Sequence, residues 1–488
     1  MKFLSKNKLI ILLFFSGLFM NGQIIHVVDS NSGESIESVA VFNNDKTKST
    51  ITDKNGRASL DEFNFLSPIV FQINGYKTLT KKLSFTKRSL IIQLEPKVEN
   101  LEGVVLSVAR SRSKRNKIAE KVNIITSERI KQSVIQSGAD ILELSPGVRI
   151  QKSQGGGGSP VLRGFEANRV LLVVDGVRMN NAIYRSGHLQ NAITIDPHNL
   201  ERVEVIFGSS SVGYGSDALG GVIHYYTKTP DINSTEKNKN EFHSDFNSAN
   251  LSSVNNITSN WSFKKWGSIT SISFSDFGDI RMGEKNNHGF KNWGSTNFFS
   301  ENTNIFYKAT PTINPDPLIQ KNTGYEQFDI FQKFRFKLDN QSYFSLNIQS
   351  SNSSIINRYD KLNEIRNGSL RYAEWYYGPQ KRFLFSPKFE FFSGSRFLKK
   401  GSLTFAYQKI KESRIDRKFD SFNKSSQSEE VSVISFNADF NAKPYKNINT
   451  SYGVEILNNK IYSNAFTESL NISNNQIISV GNSIKIPT

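Results

Sequence analysis

Through the C-terminal half of the chain, apolar and polar residues change places one by one. Phe328, Ile330, Phe334, Phe336 and Leu338 stand in one phase, with Asp329, Lys333, Arg335 and Lys337 in the other. The same alternation runs through Phe344, Leu346, Ile348, then Phe383, Phe385, Phe389, Phe391, then Leu403, Phe405, Tyr407. It continues in Ile434, Phe436, Ala438, Phe440 and in Tyr452, Val454, Ile456. A period of two with one greasy and one wet face predicts half-buried β-strands. The connections alternate between short ones ("LDNQS", "KPYKN") and long ones (277–323, 353–380, 412–428). At about 10 residues per strand, residues 229–488 hold roughly 10–12 strands.

Two architectures produce such a pattern. In a soluble sandwich the greasy faces meet each other. In a transmembrane barrel they meet lipid, and the wet faces line a lumen. Abundant aromatics and the short–long alternation of connections favour the barrel. The start of the chain agrees. Leu9 to Met20 is an apolar run behind Lys2, Lys6 and Lys8, ending near Gly22-Gln23. It is shorter than the roughly 20 residues of a membrane helix and reads as a signal peptide over 1–22.

Between these ends the pattern differs twice. Residues 23–97 carry short β-branched runs broken by turn clusters, which predicts a small β-sandwich. "DKNG" at 53–56 is a hairpin signal because Asn-Gly accepts a tight turn. Its rival, a calcium loop, lacks the acid spacing and the closing Glu. Residues 98–117 hold a short apolar stretch and a basic stretch, Arg110 to Lys117, read as a solvated linker before a nucleic-acid patch. Residues 118–228 mix strands and short helices. "SERIKQS" and "GADILELSPGV" read as helices, the second stopped by Pro146-Gly147. "RVLLVVDGVRM" reads as a buried strand turned by Asp-Gly. "DPHNLERVEVIFG" has Asp196 as N-cap, Pro197 at the first helical position, then a strand. This is a compact α+β unit, so the expected fold class is mainly β: a sandwich, an α+β unit and part of an antiparallel barrel.

Composition narrows the chemistry. There is no cysteine, hence no disulfide, no thiolate metal site and no lipid-bearing cysteine. The net charge of +17 is scattered and fits an anionic lipid surface or ligand better than nucleic acid. No zinc-protease pair and no nucleophile elbow occur, so no enzyme is expected. "GYGSDA" lacks the βαβ unit of a dinucleotide fingerprint, and "GGGG" at 155–158 lacks the Lys-Ser/Thr of a phosphate loop.

"LELSPGVRI", "SPVLRGFEANRVLLVVDGVRMNN" and "IDPHNLERVEVIFGSSSVGYGSDALGGVIHYYTK", in that order, resemble the plug domain of TonB-dependent outer-membrane receptors. "TDKNGRASL" with "INGYKTLT" resembles the carboxypeptidase-regulatory-like domain that precedes many such receptors in Bacteroidetes-type bacteria. "SFSDFGDIRMG" and "RYAEWYYGPQKR" are similar to the haem/haemoglobin branch. The resemblance implies a TonB box at Leu101, Glu102, Gly103, Val104, Val105, Leu106, Ser107 and Val108. This extended segment adds as a strand to a TonB-type partner of the TonB–ExbB–ExbD complex in the periplasm. It implies structural roles for Arg163, Gly164, Asp175, Gly176, Arg202, Glu204, Gly215, Asp217, Gly220 and Gly221. Their charges are expected to pair with the barrel wall. Such receptors carry no tightly bound cofactor. They lie in outer-membrane lipid and take up a ligand, here haem or a haem-protein, with a siderophore as the alternative.

The haem reading rests on Gly187-His188 followed by Asp196-Pro197, as in the apical plug loop of haem-uptake members. Neutral imidazole suits haem iron. His188 is therefore the candidate metal ligand, through haem iron only. Arg178 and Arg185 are candidate propionate partners, and Tyr184 a candidate for stacking or ligation. The plain alternative is that His188 is an ordinary loop residue. His224 and His243 fall in strand-like segments with structural roles expected, and His198 is read as incidental. Plugged transporters use about 22 strands, and "NSIKIPT" lacks a terminal aromatic. A C-terminally shortened receptor is expected, and a non-transporting surface-binding protein is then the second class.

Overall fold

The computed structural model describes residues 23–30, 33–64, 67–73, 76–83, 89–95, 104–105, 113–114, 120–133, 135–183, 192–208, 211–285, 289–290, 293–339, 341–445, 448–480 and 484–485. The chain divides into two units, Met1–Glu102 and Gly103–Thr488.

The first unit is the predicted sandwich. Ile24–Asp29 runs antiparallel to Arg57–Ser59 and parallel to Ser89–Leu94. A second sheet has the order Ser49–Ile51, Ala40–Asn43, Ile69–Gln72, Leu79–Lys81. Ile25, Val27, Val41, Leu60, Phe71 and Leu94 form the core between them. The "DKNG" expectation needs correction. The turn is real: Asp53 accepts the backbone N–H groups of Asn55 and Arg57, and Gly56 has φ +70°. Its flanking strands, however, belong to different sheets, so it is a corner between layers and not a hairpin. Turn chemistry specifies the local bend but not the partner that each strand finds.

In the second unit, Val104–Val105 pairs with Ser113–Lys114. These two residues of the expected TonB box are extended. Leu101, Glu102, Gly103, Leu106, Ser107 and Val108 lie outside the described residues. Next comes a five-stranded mixed sheet in the order Lys121–Thr126, Leu200–Phe207, Gly221–Thr227, Val170–Val174, Val177–Arg178. Its Val170–Val174 and Gly221–Thr227 strands are parallel and largely buried on both faces, which is why Val170–Val174 reads as an unbroken apolar run. The helices are single turns. Thr126 caps Ser127–Lys131, and Asp140–Leu144 is a 3-10 turn. Asp196 caps the 3-10 turn Pro197–Asn199 through the His198 N–H. Asp175 and Gly176, at φ +48° and +92°, make the tight hairpin between Val174 and Val177.

The remainder is one antiparallel meander, hereafter the wall. Its nine long strands, in order, are Asn238–Asn247, Ser252–Ser262, Trp266–Phe277, Tyr325–Lys337, Tyr343–Ser353, Lys381–Phe392, Lys400–Lys418, Asn423–Tyr445 and Ile448–Ser473. Long connections at 278–324 and 354–380 fall at one rim, as expected. The expected third long loop, 412–428, is not a loop. The seventh and eighth strands pair from Lys400↔Asn441 to Asp416↔Ser425, and a short turn joins them. The charged sequence there misled, because a strand that continues beyond the lipid needs no greasy face. Among the described residues the sheet does not close on itself.

The wall's polarity is the inverse of a soluble protein's. Phe242, Phe274, Phe328, Ile330, Phe383 and Ile434 are exposed, while Asn256, Ser271, Ser273, Asn347, Gln408 and Asn437 are buried. The second group is hydrogen-bonded within the sheet or to the mixed sheet it faces. A greasy outer face and a polar inner face of strands this long are what a lipid-embedded barrel requires.

Candidate functional site: the plug–wall interface

The loops of the mixed-sheet domain meet the inward face of the wall, and the contacts are of two kinds. Small apolar patches form the first. Val177 packs with Leu384 and Ala406, Ile183 with Val431 and Val433, and Ile193 with Val254, Phe277, Tyr325 and Ile356. Gly156 passes against the Tyr325 ring and Ile193 so closely that a Cβ there has no room. Its place in "GGGG" thus has a packing reason.

The second kind is polar. Asp175, in the tight hairpin, accepts from Lys333 Nζ at 2.9 Å and Asn347 Nδ2 at 2.7 Å on the wall. It also accepts the Thr227 N–H and hydroxyl at 3.0 and 2.5 Å. Burial opposes ionisation of this carboxyl, but Lys333 and the Thr227 donors more than offset it and hold the pKa below the ordinary aspartate value. The Gly176 carbonyl accepts from Asn437, and its N–H donates to His224 Nε2 at 2.9 Å. Arg178 donates to Asp217 at 2.9 Å, to the Tyr214 carbonyl and to Glu455 of the ninth strand at 3.4 Å. Its own carbonyl accepts from Gln408. Gln327 donates to the Ile193 carbonyl.

The residues singled out from sequence therefore divide. Asp175, Gly176 and Arg178 reach the wall. Arg178 is buried among acceptors from the protein, so its guanidinium links plug to wall. Wall partners were expected for Arg163, Arg202, Glu204 and Asp217, but the contacts found are internal. Arg202 pairs with Glu204 at 2.8 Å and lies over Tyr226. Arg163 lies over Phe207, and Asp217 holds Arg178. Arg202 and Glu204 are two apart on one strand and share a face, which brings the two side chains within reach of each other. Gly164 and Gly215 have positive φ, and Gly220 and Gly221 sit too close to Phe165 and Ile206 for a side chain.

Tyr184, Arg185 and His188 lie outside the described residues. The chain on either side of them does not. Ile183 and Ile193 are both buried against the wall. Ile193 sits beside Phe277, Tyr325 and Ile356, which border the two long connections.

Sequence reasoning missed the wall half of the interface: Lys333, Asn347, Gln408, Asn437 and Glu455. The signal was available, since Lys333 stands in the polar phase of its alternating strand. It also missed a cluster. His198, expected to be incidental, lies beside His243 with ring centroids 4.7 Å apart and planes tilted by 47°. His243 in turn bonds Asp245 at 2.6 Å. Desolvation lowers the His198 pKa below the usual imidazole value, with Asp196 and Asp245 opposing and His243 and Lys228 assisting. The cluster joins residues far apart in sequence, so no local motif announces it.

Comparison with known proteins agrees with this geometry. Residues 114–222 match the family TonB-dependent Receptor Plug Domain, and residues 25–106 match the CarboxypepD_reg-like domain. The vitamin B12 transporter BtuB of Vibrio vulnificus is 36% identical over 132 residues, 27% of this chain and 21% of that protein. The hemin receptor of Yersinia enterocolitica is 37% identical over 107 residues, 22% of this chain and 15% of that protein. Among solved structures, the copper transporter OprC shares the fold with a TM-score of 0.53 and 12% identity, covering 75% of this chain and 49% of its own. The FrpB iron transporter of Neisseria meningitidis does so at 0.51 and 14%, covering 72% and 49%. The chain thus spans about a fifth or less of these curated relatives and about half of the solved transporters. Residues 114–222 are thus similar to the TonB-dependent Receptor Plug Domain, a CarboxypepD_reg-like match precedes them, and the antiparallel strands that follow share the fold of the solved transporters.

Proposed function

We propose that the protein is an outer-membrane active transporter that binds haem, free or from a haem-protein, and imports it using energy from the TonB–ExbB–ExbD complex. The observation that carries this reading is the pair of anchors around residues 184–191. Ile183 and Ile193 fix both ends of that segment to the wall, and Ile193 does so at the rim with the long connections. Long connections mark the extracellular rim of such barrels. His188 is the iron ligand, Arg185 the propionate partner and Tyr184 the stacking group. The likeness to a hemin receptor over 107 residues supports the choice of cargo.

The opposite rim faces the periplasm, which is also the compartment of the N-terminal domain and the TonB box in this reading. The outer membrane has no nucleotide supply, so energy arrives as a pull on the strand around Val104–Val105. The plug–wall contacts suit that task. They are hydrogen bonds and ion pairs interspersed with small apolar patches, which seal the lumen without the continuous apolar seam of a permanent interface.

A hemin titration of the detergent-solubilised chain, followed by visible absorbance, tests the cargo. A saturable Soret shift is expected, weakened in His188→Ala when circular dichroism shows both proteins folded. No shift in the folded wild type overturns the haem reading and moves an iron chelate to the front.

A further inference from the structure

We propose that His198, His243 and Asp245 form a binding site for a divalent first-row transition-metal ion, which joins the plug to the first strand of the wall. This site is separate from the haem reading and does not depend on it.

The three side chains come from two elements that each hold them in place. His198 is the second residue of the Pro197–Asn199 turn. That turn is set by the Asp196 cap, by Pro197, and by Asp196 bonds to Asn199 and to wall Ser273. His243 and Asp245 are two apart on the first wall strand, so they share one face. The exposed Phe242 and Phe246 point the other way. One donor atom from each of the three lies within 4.8 Å of the others. At a tetrahedral zinc ion with metal–ligand distances of about 2.0–2.2 Å, such atoms stand about 3.3 Å apart. Rotamer adjustment of the exposed Asp245 and half-buried His243 brings the three atoms to that spacing, opening the 2.6 Å His243–Asp245 bond as the ion takes its place.

The surroundings favour an ion over a plain hydrogen-bonded pair. His243–Asp245 is complete without His198, and among the described residues the His198 ring makes no hydrogen bond. All three side chains border a small cavity of about 20 Å³, with Lys131, Ser133 and Leu200 on its other sides. That volume holds one water or one ion. Nearby positive charge is drawn aside, because Lys131, Lys239 and Lys228 all converge on Glu241, at 3.2, 2.8 and 4.0 Å. Two imidazoles and one carboxylate select borderline transition metals and not magnesium or calcium, which prefer all-oxygen sites. Three protein ligands leave one position for water. A bound ion would tie the Pro197–Asn199 turn to the wall close to Lys228, the last plug residue before the wall.

The test uses the full chain in detergent micelles, with Zn²⁺ as probe and a chromogenic chelator as competitor. One zinc equivalent is expected in the wild type, undiminished by excess Mg²⁺ and absent alike from His198→Ala and His243→Ala. Asp245→Asn should weaken binding at least about tenfold, the loss typical even of an outer-sphere partner. His26→Ala should keep the site. Zinc should also slow trypsin cleavage of the plug in the wild type and not in the histidine variants. If an alanine variant does not fold, His198→Gln and His243→Gln preserve size and polarity and give the same reading. Zinc binding unchanged in the folded His198 or His243 variants overturns the proposal, as does binding that Mg²⁺ displaces.

Discussion

At the scale of single residues, Asp175 is central to the plug–wall contact. Asp175 meets the wall cation Lys333 at 2.9 Å, and the Lys333 side chain is the more buried of the two. Removing one partner strands the other in a low-dielectric site, at a cost of about 3 kcal/mol. Asp175→Asn and Lys333→Met should each lower the plug's unfolding midpoint in urea, and the double variant should cost less than the two together. Additive losses would show that the two do not interact. The pH dependence has a definite sign. A carboxyl whose folded pKa is depressed stabilises above its unfolded pKa of about 3.9 and loses that contribution as pH falls through the folded value. Protease resistance of the plug should therefore be flat from pH 7 to pH 5 and decline only below about pH 4. In Asp175→Asn that low-pH decline should shrink.

At the scale of elements, the proposed function makes the strand containing Val104 and Val105 the handle for energy. Its pairing with Ser113–Lys114 shows an extended backbone that carries exchangeable ladder hydrogen bonds. Val105→Pro removes a donor and restricts the ladder. Energised uptake of hemin into cells should fall to the level seen without TonB, while hemin binding to the purified protein stays at wild-type strength. Uptake unaffected by this proline would place the handle elsewhere. The elements were also where the sequence was most and least legible. The wall strands were readable because their period of two repeats for ten or more residues. The Asp175-Gly176 hairpin and the Asp196 cap were readable because each is a local chemical device. The Asp53–Gly56 corner and the strand extension at 412–428 were misread for one reason. Pairing partners are chosen across space, and local composition does not record them. The candidate site was half legible, since the plug residues carried motifs and their wall partners carried only a phase.

At the scale of the whole second unit, the decisive feature is inversion: greasy side chains outside, polar side chains inside, and a mixed-sheet domain against the polar face. Either soluble or membrane architecture fits alternation in a sequence. Only the membrane one fits Phe328 and Ile330 exposed while Lys333, Asn347 and Asn437 are buried. On the proposed function, a plug held in this way loosens for cargo to pass. The absence of cysteine makes that claim directly testable. Val177 of the plug packs against Ala406 of the seventh wall strand. The double variant Val177→Cys, Ala406→Cys should form a disulfide under oxidation. TonB-dependent hemin uptake by cells carrying it should stop when oxidised and return when a reductant is added. Uptake that continues with the disulfide formed, or a failure of the two cysteines to cross-link in a folded protein, would contradict the account.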